Sequence, residues 1–277
     1  MIRCSSAYSI CTNRPSFNED EYNAIYEKVK EKVEKKGQVF SLLNIEDYCG
    51  MAGVMTDAKK LRTQIEKKYN AEHDPLPDGA KTYLEERWLE LNYNFHDFGT
   101  TDSMPQIEKG NICEEGAIYL VGQRYNLAIE KNPNPAEGRG FLIGSYDVKY
   151  ANVIRDIKVP ETWKSFRSKT GIALVYYWQL IAYCLLHDCT SAYLDYVLMP
   201  YPEEMVPRIV KNYSEEEKLK FVQVQNAIRN LDPKDRIKTY KVEGDIQADI
   251  EFLESRLEKA EAYYDTLTYA KCMKMAA

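Results

Sequence analysis

Three charged residues near the middle of the chain are the ones best suited to chemistry. Asp147 ends a Gly-x-x-Asp sequence, and Asp156-x-Lys158 follows shortly after it. Alternating apolar residues on both sides of a short turn predict a β-hairpin with strands over 141–148 and 153–159. Alternate residues of a strand share one face, so Asp156 and Lys158 should point the same way, and the hairpin should bring Asp147 close to them.

Two carboxylates and one ammonium group on a sheet surface suit a hard divalent cation, Mg²⁺ with Mn²⁺ as a substitute. Such an ion would polarise a phosphate and lower the pKa of a bound water. Lys158 could orient or help deprotonate that water, or stabilise charge on the phosphoryl oxygens. The chemistry indicated is phosphodiester hydrolysis. Taken alone, however, Asp-x-Lys is more typical of the solvent-facing side of an amphipathic strand.

Side chains on two flanking helices extend this pattern. Glu114 lies in a predicted helix before the hairpin, where its long side chain could reach the same metal. Glu115 is the alternative, and a solvated helix face would explain either residue. Gln179 and Tyr183 lie one turn apart in an apolar helix after the hairpin. A buried amide needs a hydrogen-bond partner, which a phosphate, an active-site water or a core group would supply.

The segment directly after the second strand interleaves basic and aromatic residues. Trp163, Lys164 and Arg167 could hold phosphates and stack on bases of DNA. The alternative is a solvated loop in which Trp163 and Phe166 pack on the core. Arg139, just before the hairpin, is a further candidate for a phosphate contact.

The rest of the chain must position these groups, and its hydrophobic pattern is mainly helical. Residues 1–15 are predicted to be a short lead-in, and the Pro and Gly residues of 133–140 to break the chain. Ser214 and Glu217 have the spacing of a capping box. Apolar residues of the last helix recur every three or four positions, a seam that packs on its own domain or on a second copy. Helices are predicted over 19–36, 56–69, 80–95, 106–126, 171–186, 214–230 and 246–267, and further strands over 192–199 and 236–242.

Composition narrows the class of protein. With 277 residues, 44% of them hydrophobic and 29% charged, the chain suits one soluble catalytic domain with decorations. It has no apolar run of about eighteen residues and no signal-like start, which predicts a cytosolic protein without a membrane partner. The seven cysteines and three histidines lack disulfide or zinc spacing, so free thiols are expected. The net charge of -6 disfavours broad adhesion to nucleic acid but allows a local basic groove.

The order of the motifs resembles the RecB-like and YqaJ-like branch of the PD-(D/E)XK nucleases, the lambda-exonuclease-like proteins. The likeness covers about residues 105–200, whereas residues 16–75 look like an insertion. The first strand also lacks the proline often found before its Asp. Four motifs carry the resemblance: Lys109-Gly110-x-x-x-Glu114-x-x-Ala117 as the entry helix, Gly144-x-x-Asp147, Asp156-x-Lys158, and Gln179-x-x-x-Tyr183.

The resemblance implies an α/β (α+β) fold with a central mixed β-sheet flanked by helices and a restriction-endonuclease-like core. Residues 1–104 would form a helical N-terminal region carrying the insertion, and 105–200 the nuclease core. Residues 201–277, with a long C-terminal helix, would complete the same domain. The implied roles are metal ligation for Glu114, Asp147, Asp156 and Ile157, catalysis for Lys158, and positions beside the DNA strand for Gln179 and Tyr183.

A nuclease of this kind would act on the ends of linear duplex DNA in phage or prophage recombination and repair, in the cytoplasm of a bacterial host. The resemblance also implies two candidate partners, a second copy of the chain in a homo-oligomer and a single-strand annealing protein. Two alternatives stay open. One is a catalytically silent DNA-binding or assembly module, which the acidic net charge and the helical seam favour; the other is a repair or restriction endonuclease.

Overall fold

The strands lie in the second half of the chain, except for one at its start. The computed structural model describes residues 1–11, 17–73, 75–95 and 104–275. The strands are β1 (Ile2–Arg3), β2 (Glu137–Arg139), β3 (Leu142–Gly144), β4 (Val148–Tyr150), β5 (Val153–Lys158), β6 (Ser191–Val197) and β7 (Ile237–Lys241). The helices are α1 (Ala7–Cys11), α2 (Glu19–Glu34), α3 (Ile45–Cys49), α4 (Met55–His73), α5 (Asp78–Tyr93), α6 (Pro105–Tyr125), α7 (Trp163–Arg167), α8 (Leu174–His187), α9 (Val206–Ile209), α10 (Glu215–Asn230), α11 (Ile246–Asp265) and α12 (Tyr269–Cys272).

The predicted helices are all present, with ends shifted by a few residues. The strands predicted over 192–199 and 236–242 are β6 and β7. The capping box of α10 is confirmed, since the Ser214 hydroxyl accepts the Glu217 N–H at 3.4 Å and the Glu217 carboxylate accepts the Ser214 N–H at 2.8 Å. The end of the predicted lead-in, Asn13 to Pro15, lies outside the described residues, as do Asp74 and His96.

The chain forms two compact units, a smaller one of Thr12–Pro77 and a larger one of Met1–Cys11 with Asp78–Ala277. In the smaller unit the Asn18 side chain caps α2 by accepting the Glu21 N–H at 3.0 Å. Gly37, with a φ of +74°, lets the chain turn after this helix. Apolar side chains of α2, α3, α4 and the turn before α4 form the core of the unit, which consists of Val29, Val33, Tyr48, Val54, Ala58 and Leu61.

The larger unit contains two mixed sheets flanked by helices, which confirms the predicted fold class. One sheet has the order β1-β3-β2, in which β1 is parallel and β2 antiparallel to β3. The other has the order β4-β5-β6-β7, in which β5 and β6 are the parallel pair. The sheet is therefore divided, whereas the sequence predicted a single one.

The predicted strand 141–148 is wrong, because the chain leaves one sheet and enters the other between Gly144 and Val148. The hairpin is the shorter pair β4 and β5, with Val148 opposite Arg155 and Tyr150 opposite Val153. Two other predictions also differ from the structure. The break predicted over 133–140 contains β2, and the lead-in begins with β1, where Ile2 is fully buried.

Helices cover both faces of the four-stranded sheet. On one face, α6 packs Ala117, Ile118 and Val121 against Val148, Ile157 and Val197. The other face holds Asp156, because neighbouring residues of β5 point to opposite sides. There α8 lies against the sheet, with its residues from Trp178 to Leu186 buried.

The C-terminal helix α11 packs within the larger unit. Leu253 and Ala260 on its apolar seam are fully buried. The Phe252 ring lies 5.5 Å from the Trp178 ring of α8, and the Tyr264 ring lies 5.3 Å from Phe141. The sequence allowed this seam to pack either on its own domain or on a second copy of the chain. In the structure it packs on its own domain.

All seven cysteines are free thiols, as predicted. Six of them are buried, so they behave as small apolar core residues. None of the helices in the described ranges has the length and apolar character that a bilayer-spanning segment needs.

Candidate active site

Asp156 and Lys158 lie on the same face of β5, as strand alternation predicts. The Lys158 Nζ is 2.6 Å from the Asp156 Oδ2. Asp156 is only 1% exposed, which excludes the alternative of a solvent-facing carboxylate on an amphipathic strand. A buried charge needs a partner, and Lys158 supplies one.

Asp147, the residue just before β4, reaches the same region. Its Oδ2 accepts the backbone N–H of Ile157 at 2.7 Å. The pairing of β4 with β5 ends where Val148 meets Arg155, so the Ile157 N–H lies beyond the last strand partner on that side. The Asp147 carboxylate occupies this position, which fixes it beside the Asp-x-Lys motif.

Burial and neighbouring charges shift the pKa values of the two carboxylates. The pKa of Asp147 is raised to about 7, first by burial and then by the charge of Asp156. The pKa of Asp156 is also raised by burial, against the opposing charge of Lys158. Burial lowers the pKa of Lys158, but the charges of Asp156 and Asp147 outweigh it and raise that pKa overall. The site therefore favours a cation that neutralises both acids.

Gln179 and Tyr183 hold Asp156 from the α8 side. The Gln179 Nε2 donates to the Asp156 Oδ1 at 3.2 Å and to the Tyr183 hydroxyl oxygen at 3.0 Å. Both side chains are buried, at 7% and 5% exposure. Asp156 is thus the hydrogen-bond partner that the buried Gln179 amide was predicted to need. Gln179 and Tyr183 lie on the α8 side of the Asp156 carboxylate.

Glu114, on α6, faces the same cleft, but its carboxylate is paired. Its Oε2 lies 2.7 Å from the Lys131 Nζ. Glu115 is exposed and does not line the cleft. Of the two acids that the sequence left open, the structure therefore brings Glu114 to the site, although Lys131 occupies the carboxylate.

The cleft has a volume of about 600 Å³, in the range of ligand-binding pockets. Of the predicted site residues, Glu114, Asp147, Ile157 and Lys158 line it, and Lys169 and Tyr176 are among the lining residues that were not predicted. The Tyr176 ring lies 5.3 Å from the Lys158 Nζ, and its position three residues before Gln179 on α8 is the signal that could have found it. The charged and polar residues of the lining are Gln106, Asn111, Glu114, Asp147, Lys158, Glu161, Ser165, Lys169, Tyr176 and Tyr196.

The oxygen donors of this cleft fit a hard divalent cation. The Asp156 Oδ2 is buried and has no hydrogen bond of good geometry within the described residues, although it lies close to Lys158. Ile157 has no side-chain donor, so only its backbone carbonyl could serve as a ligand. Across the described parts of the chain, no three His, Cys, Asp or Glu side chains converge as a ready-made metal cluster. To bind the metal, Glu114 would have to give up its ion pair with Lys131.

The predicted DNA contacts after β5 lie on the short helix α7. The Thr162 hydroxyl accepts the Ser165 N–H at 3.1 Å and caps this helix. Trp163 is 43% exposed, and Lys164 and Arg167 are also exposed, whereas Phe166 is buried. Only Phe166 therefore packs on the core as the loop alternative expected.

Arg139 is directed toward the end of α8. Its Nη1 donates to the Leu185 carbonyl and to the Asp188 carboxylate, both at 2.7 Å. These bonds satisfy a helix C-terminus, where a cation is favourable. Arg139 therefore does not line the cleft, and neither do Trp163, Lys164 and Arg167.

Comparison with known proteins identifies the fold. No protein-family model matches the chain, and no curated protein matches it in sequence. The structure is similar to that of a phage-related exonuclease from Haemophilus somnus 129PT, with a TM-score of 0.59, 21% identity, and coverage of 96% of this chain and 93% of that chain. An alkaline exonuclease from Laribacter hongkongensis has a TM-score of 0.45 at 11% identity, covering 72% of this chain and 84% of that chain. The first likeness establishes a shared fold.

Proposed function

We propose that the protein is a metal-dependent DNA exonuclease of the RecB-like and YqaJ-like branch of the PD-(D/E)XK nucleases. The observation that carries the proposal is that Asp147 and Lys158 line one cleft, with the buried Asp156 carboxylate 2.6 Å from the Lys158 Nζ. The shared fold with a phage-related exonuclease supports it. Because the fold alone does not fix a function, the argument rests on these side chains.

Asp147, Asp156 and the Ile157 carbonyl, together with Glu114, would hold Mg²⁺ or Mn²⁺. When bound, the ion supplies positive charge to a scissile phosphate and lowers the pKa of a water molecule. Hydrolysis would form one bond from the water oxygen to phosphorus and break the bond to the leaving sugar oxygen. The water gives up one proton, and the sugar oxygen takes up one. Glu114, Asp147 and Ile157 line the cleft, and Asp156 is buried beside Lys158.

Lys158 has a defined part in this arrangement. Its ammonium group lies 2.6 Å from the Asp156 carboxylate. In the proposed mechanism it acts as a positive charge that orients the attacking water and stabilises charge on the phosphoryl oxygens. Lys169, on the same cleft, adds a second positive charge for the DNA backbone.

The proposal is tested with Asp156→Asn, which keeps the shape of the side chain and removes its charge. Linear duplex DNA labelled at its ends is incubated with Mg²⁺ and either protein. We expect the cleavage rate to fall by about a hundredfold or more, as when a catalytic electrostatic group is lost. The matched control is Asp188→Asn, since the Asp188 side chain is 84% exposed and outside the cleft. Equal rates for wild type and Asp156→Asn would refute the proposal.

A second candidate function is a DNA-binding module without catalysis. The observation in its favour is that Glu114 is paired with Lys131 and that no three acidic groups converge among the described residues. Calorimetric titration with Mg²⁺ and Mn²⁺ separates the two functions. DNA binding without metal uptake would favour the silent module, and metal uptake that Asp147→Asn abolishes would favour the nuclease.

The biological setting is also part of the proposal. We infer action on linear duplex ends in phage or prophage recombination and repair, in the bacterial cytoplasm, with a homo-oligomer and a single-strand annealing protein as partners. Closed circular DNA tests the end requirement, because an exonuclease leaves it intact. Cleavage of the circle would favour the repair or restriction endonuclease. Light scattering tests the proposed homo-oligomer, and a measured mass equal to that of a single chain would contradict it.

A further inference from the structure

Two side chains of β7 hold the part of the chain that follows α7. The Lys238 Nζ donates to three backbone carbonyls there, those of Phe166 at 3.1 Å, Arg167 at 3.0 Å and Lys169 at 2.9 Å. The Tyr240 hydroxyl also donates to the Lys169 carbonyl, at 2.8 Å. We call this arrangement the β7 clamp, defined by the Lys238 and Tyr240 side chains.

The β7 clamp binds carbonyls that need a partner. The last carbonyls of a helix have no donor within the helix, and a cation is favourable beside them. An ammonium group has three protons, so the three carbonyls use the full donor capacity of Lys238. The Lys238 Nζ also lies 5.0 Å from the ring of the buried Phe166. Residues 166–169 are therefore tied to the sheet.

The β7 clamp is in register with Lys158. Tyr196 on β6 is the strand partner of Lys158 on β5 and of Lys238 on β7. Strand partners share a face of the sheet, so these three residues form one row across it. The Tyr196 ring is 2% exposed, and it lies 6.1 Å from the Tyr240 ring and 6.4 Å from the Tyr176 ring. The sheet thus relates the β7 clamp directly to the cleft.

Lys169 is the cleft residue at the end of the clamped segment. Its side chain is half-buried, and its Nζ lies 5.4 Å from the Tyr196 ring. The Lys158 Nζ lies 5.3 Å from the neighbouring ring, that of Tyr176. Within the part of the chain that the structure describes, no carboxylate forms an ion pair with Lys169. Its positive charge is therefore available to a ligand.

The acids that line the cleft have other partners. These partners are the Ile157 N–H for Asp147, Lys131 for Glu114, and the Tyr201 hydroxyl for Glu161. A lysine without a carboxylate, beside a site for phosphodiester hydrolysis, suits a phosphate of the DNA backbone.

We propose that Lys169 binds the phosphate next to the scissile one on the same DNA strand, and that Lys238 and Tyr240 are positioning residues that hold it there. Lys158 and Lys169 lie over neighbouring rings, so each can contact a separate phosphate. This inference rests on the proposed nuclease function, from which it takes its substrate. Its consequence is that β7, about eighty residues after the Asp-x-Lys motif, contributes to the active site.

The first test measures DNA binding without cleavage. A labelled duplex oligonucleotide is titrated in the presence of a chelator, at several salt concentrations, and followed by anisotropy. We expect Lys169→Met to weaken binding about tenfold at low salt. The slope of log affinity against log salt concentration should decrease by about 1, as the loss of one phosphate contact requires, and Lys169→Arg should keep the slope of the wild type. An unchanged slope in Lys169→Met would overturn the proposal.

The second test asks whether the β7 clamp acts through Lys169. Lys238→Met and Tyr240→Phe are measured alone and in combination with Lys169→Met. We expect each to weaken DNA binding on its own and to add little once Lys169→Met is present, because residues that act as one unit are not additive. The matched control is Lys241→Met, since Lys241 is on β7 but is exposed and does not line the cleft. Additive effects, or an equal loss in Lys241→Met, would overturn the positioning role.

The outcomes also separate this inference from the proposed function. Loss of cleavage in Asp156→Asn, together with an unchanged salt slope in Lys169→Met, would refute only the phosphate contact. A reduced slope in Lys169→Met, together with a wild type that does not cleave DNA, would refute only the nuclease.

Discussion

The two central carboxylates destabilise the folded protein when no metal is bound. The charge of Asp156 raises the pKa of Asp147, and burial disfavours the ionised form of both carboxyls. Sites that are arranged for a ligand often reduce stability in its absence. The candidate site should therefore reveal itself in stability measurements as well as in activity.

We expect Asp147→Asn to stabilise the chelated protein, and increasingly so as the pH rises. The folded pKa of about 7 lies above the ordinary value of 3.8. Between these values the folded state still holds a proton that the unfolded state has released, so this carboxyl makes folding less favourable as the pH rises. Asn keeps an acceptor for the Ile157 N–H but does not ionise. Thermal unfolding at pH 4 and pH 8 measures the effect.

Metal addition provides the control for this prediction. At pH 8, Mg²⁺ should stabilise the wild type more than the variant and reduce the difference between them, because a ligand of the folded state adds to its stability. A difference in melting temperature that does not vary with pH would contradict the raised pKa of Asp147.

Gln179 is expected to act as a positioning residue, since it contacts Asp156 and is itself buried. We predict that Gln179→Leu lowers Mg²⁺ affinity by about 10- to 100-fold, as is usual for groups that orient a metal ligand. Calorimetry with Mg²⁺ is the readout that a mere loss of stability would not change. Gln64→Leu is the matched control, because Gln64 is 4% exposed and lies on α4 in the smaller unit. Unchanged metal affinity in Gln179→Leu would exclude the role.

The sequence predicted the central residues of the site better than its surroundings. Strand alternation was enough to place Asp156 beside Lys158, because the period of a strand is local. The pairing of Glu114 with Lys131 could not be predicted in this way, since Lys131 lies in a segment without regular structure and contacts Glu114 only through the fold. Lys169 was likewise visible only as one charge in a basic segment.

Among the elements, the division of the sheet shows where local patterns stop being informative. Residues 141–148 alternate like one strand, but β3 pairs with β1 from the opposite end of the sequence. Pairing with a strand so far away in the sequence does not change the local alternation of apolar residues. The chain changes sheets just after Gly144, and the Gly-x-x-Asp motif spans the change. Gly144 and Asp147 thus have separate tasks, one in each sheet.

We predict that Gly144→Ala destabilises the larger unit, because the new methyl group has no space. A Cβ at this position would lie 2.9 Å from the Cβ of Cys4 and 3.1 Å from a ring carbon of Tyr183. Overpacking of this kind typically costs about 1–3 kcal/mol, which chemical unfolding would detect. Gly138→Ala is the matched control, since the nearest atom to its added Cβ is the Leu142 carbonyl oxygen at an ordinary 3.6 Å. Equal stabilities of the two variants would contradict this account of Gly144.

In the larger unit, residues near both ends of the chain contribute to the hydrophobic core. Leu253 and Ala260 of α11 and Ile2 of β1 are fully buried. Deletion of the chain from Asp245 onward would expose the buried face of α8 to water, so it would affect folding before it affected assembly. The heptad-like spacing of α11 did not distinguish these outcomes, because the same seam serves an internal core and an interface.

The smaller unit has a core of its own, and we predict that the isolated fragment Thr12–Pro77 folds. Circular dichroism should show a helical spectrum with a cooperative thermal transition. Leu61 is fully buried in this core, and Leu61→Ala should cost about 2–5 kcal/mol. A core of this size supplies only about 3–5 kcal/mol in total, so the transition should be largely lost. Leu43→Ala should change little, because Leu43 is 94% exposed. A fragment without a transition, or equal effects of the two substitutions, would mean that the smaller unit depends on the rest of the chain.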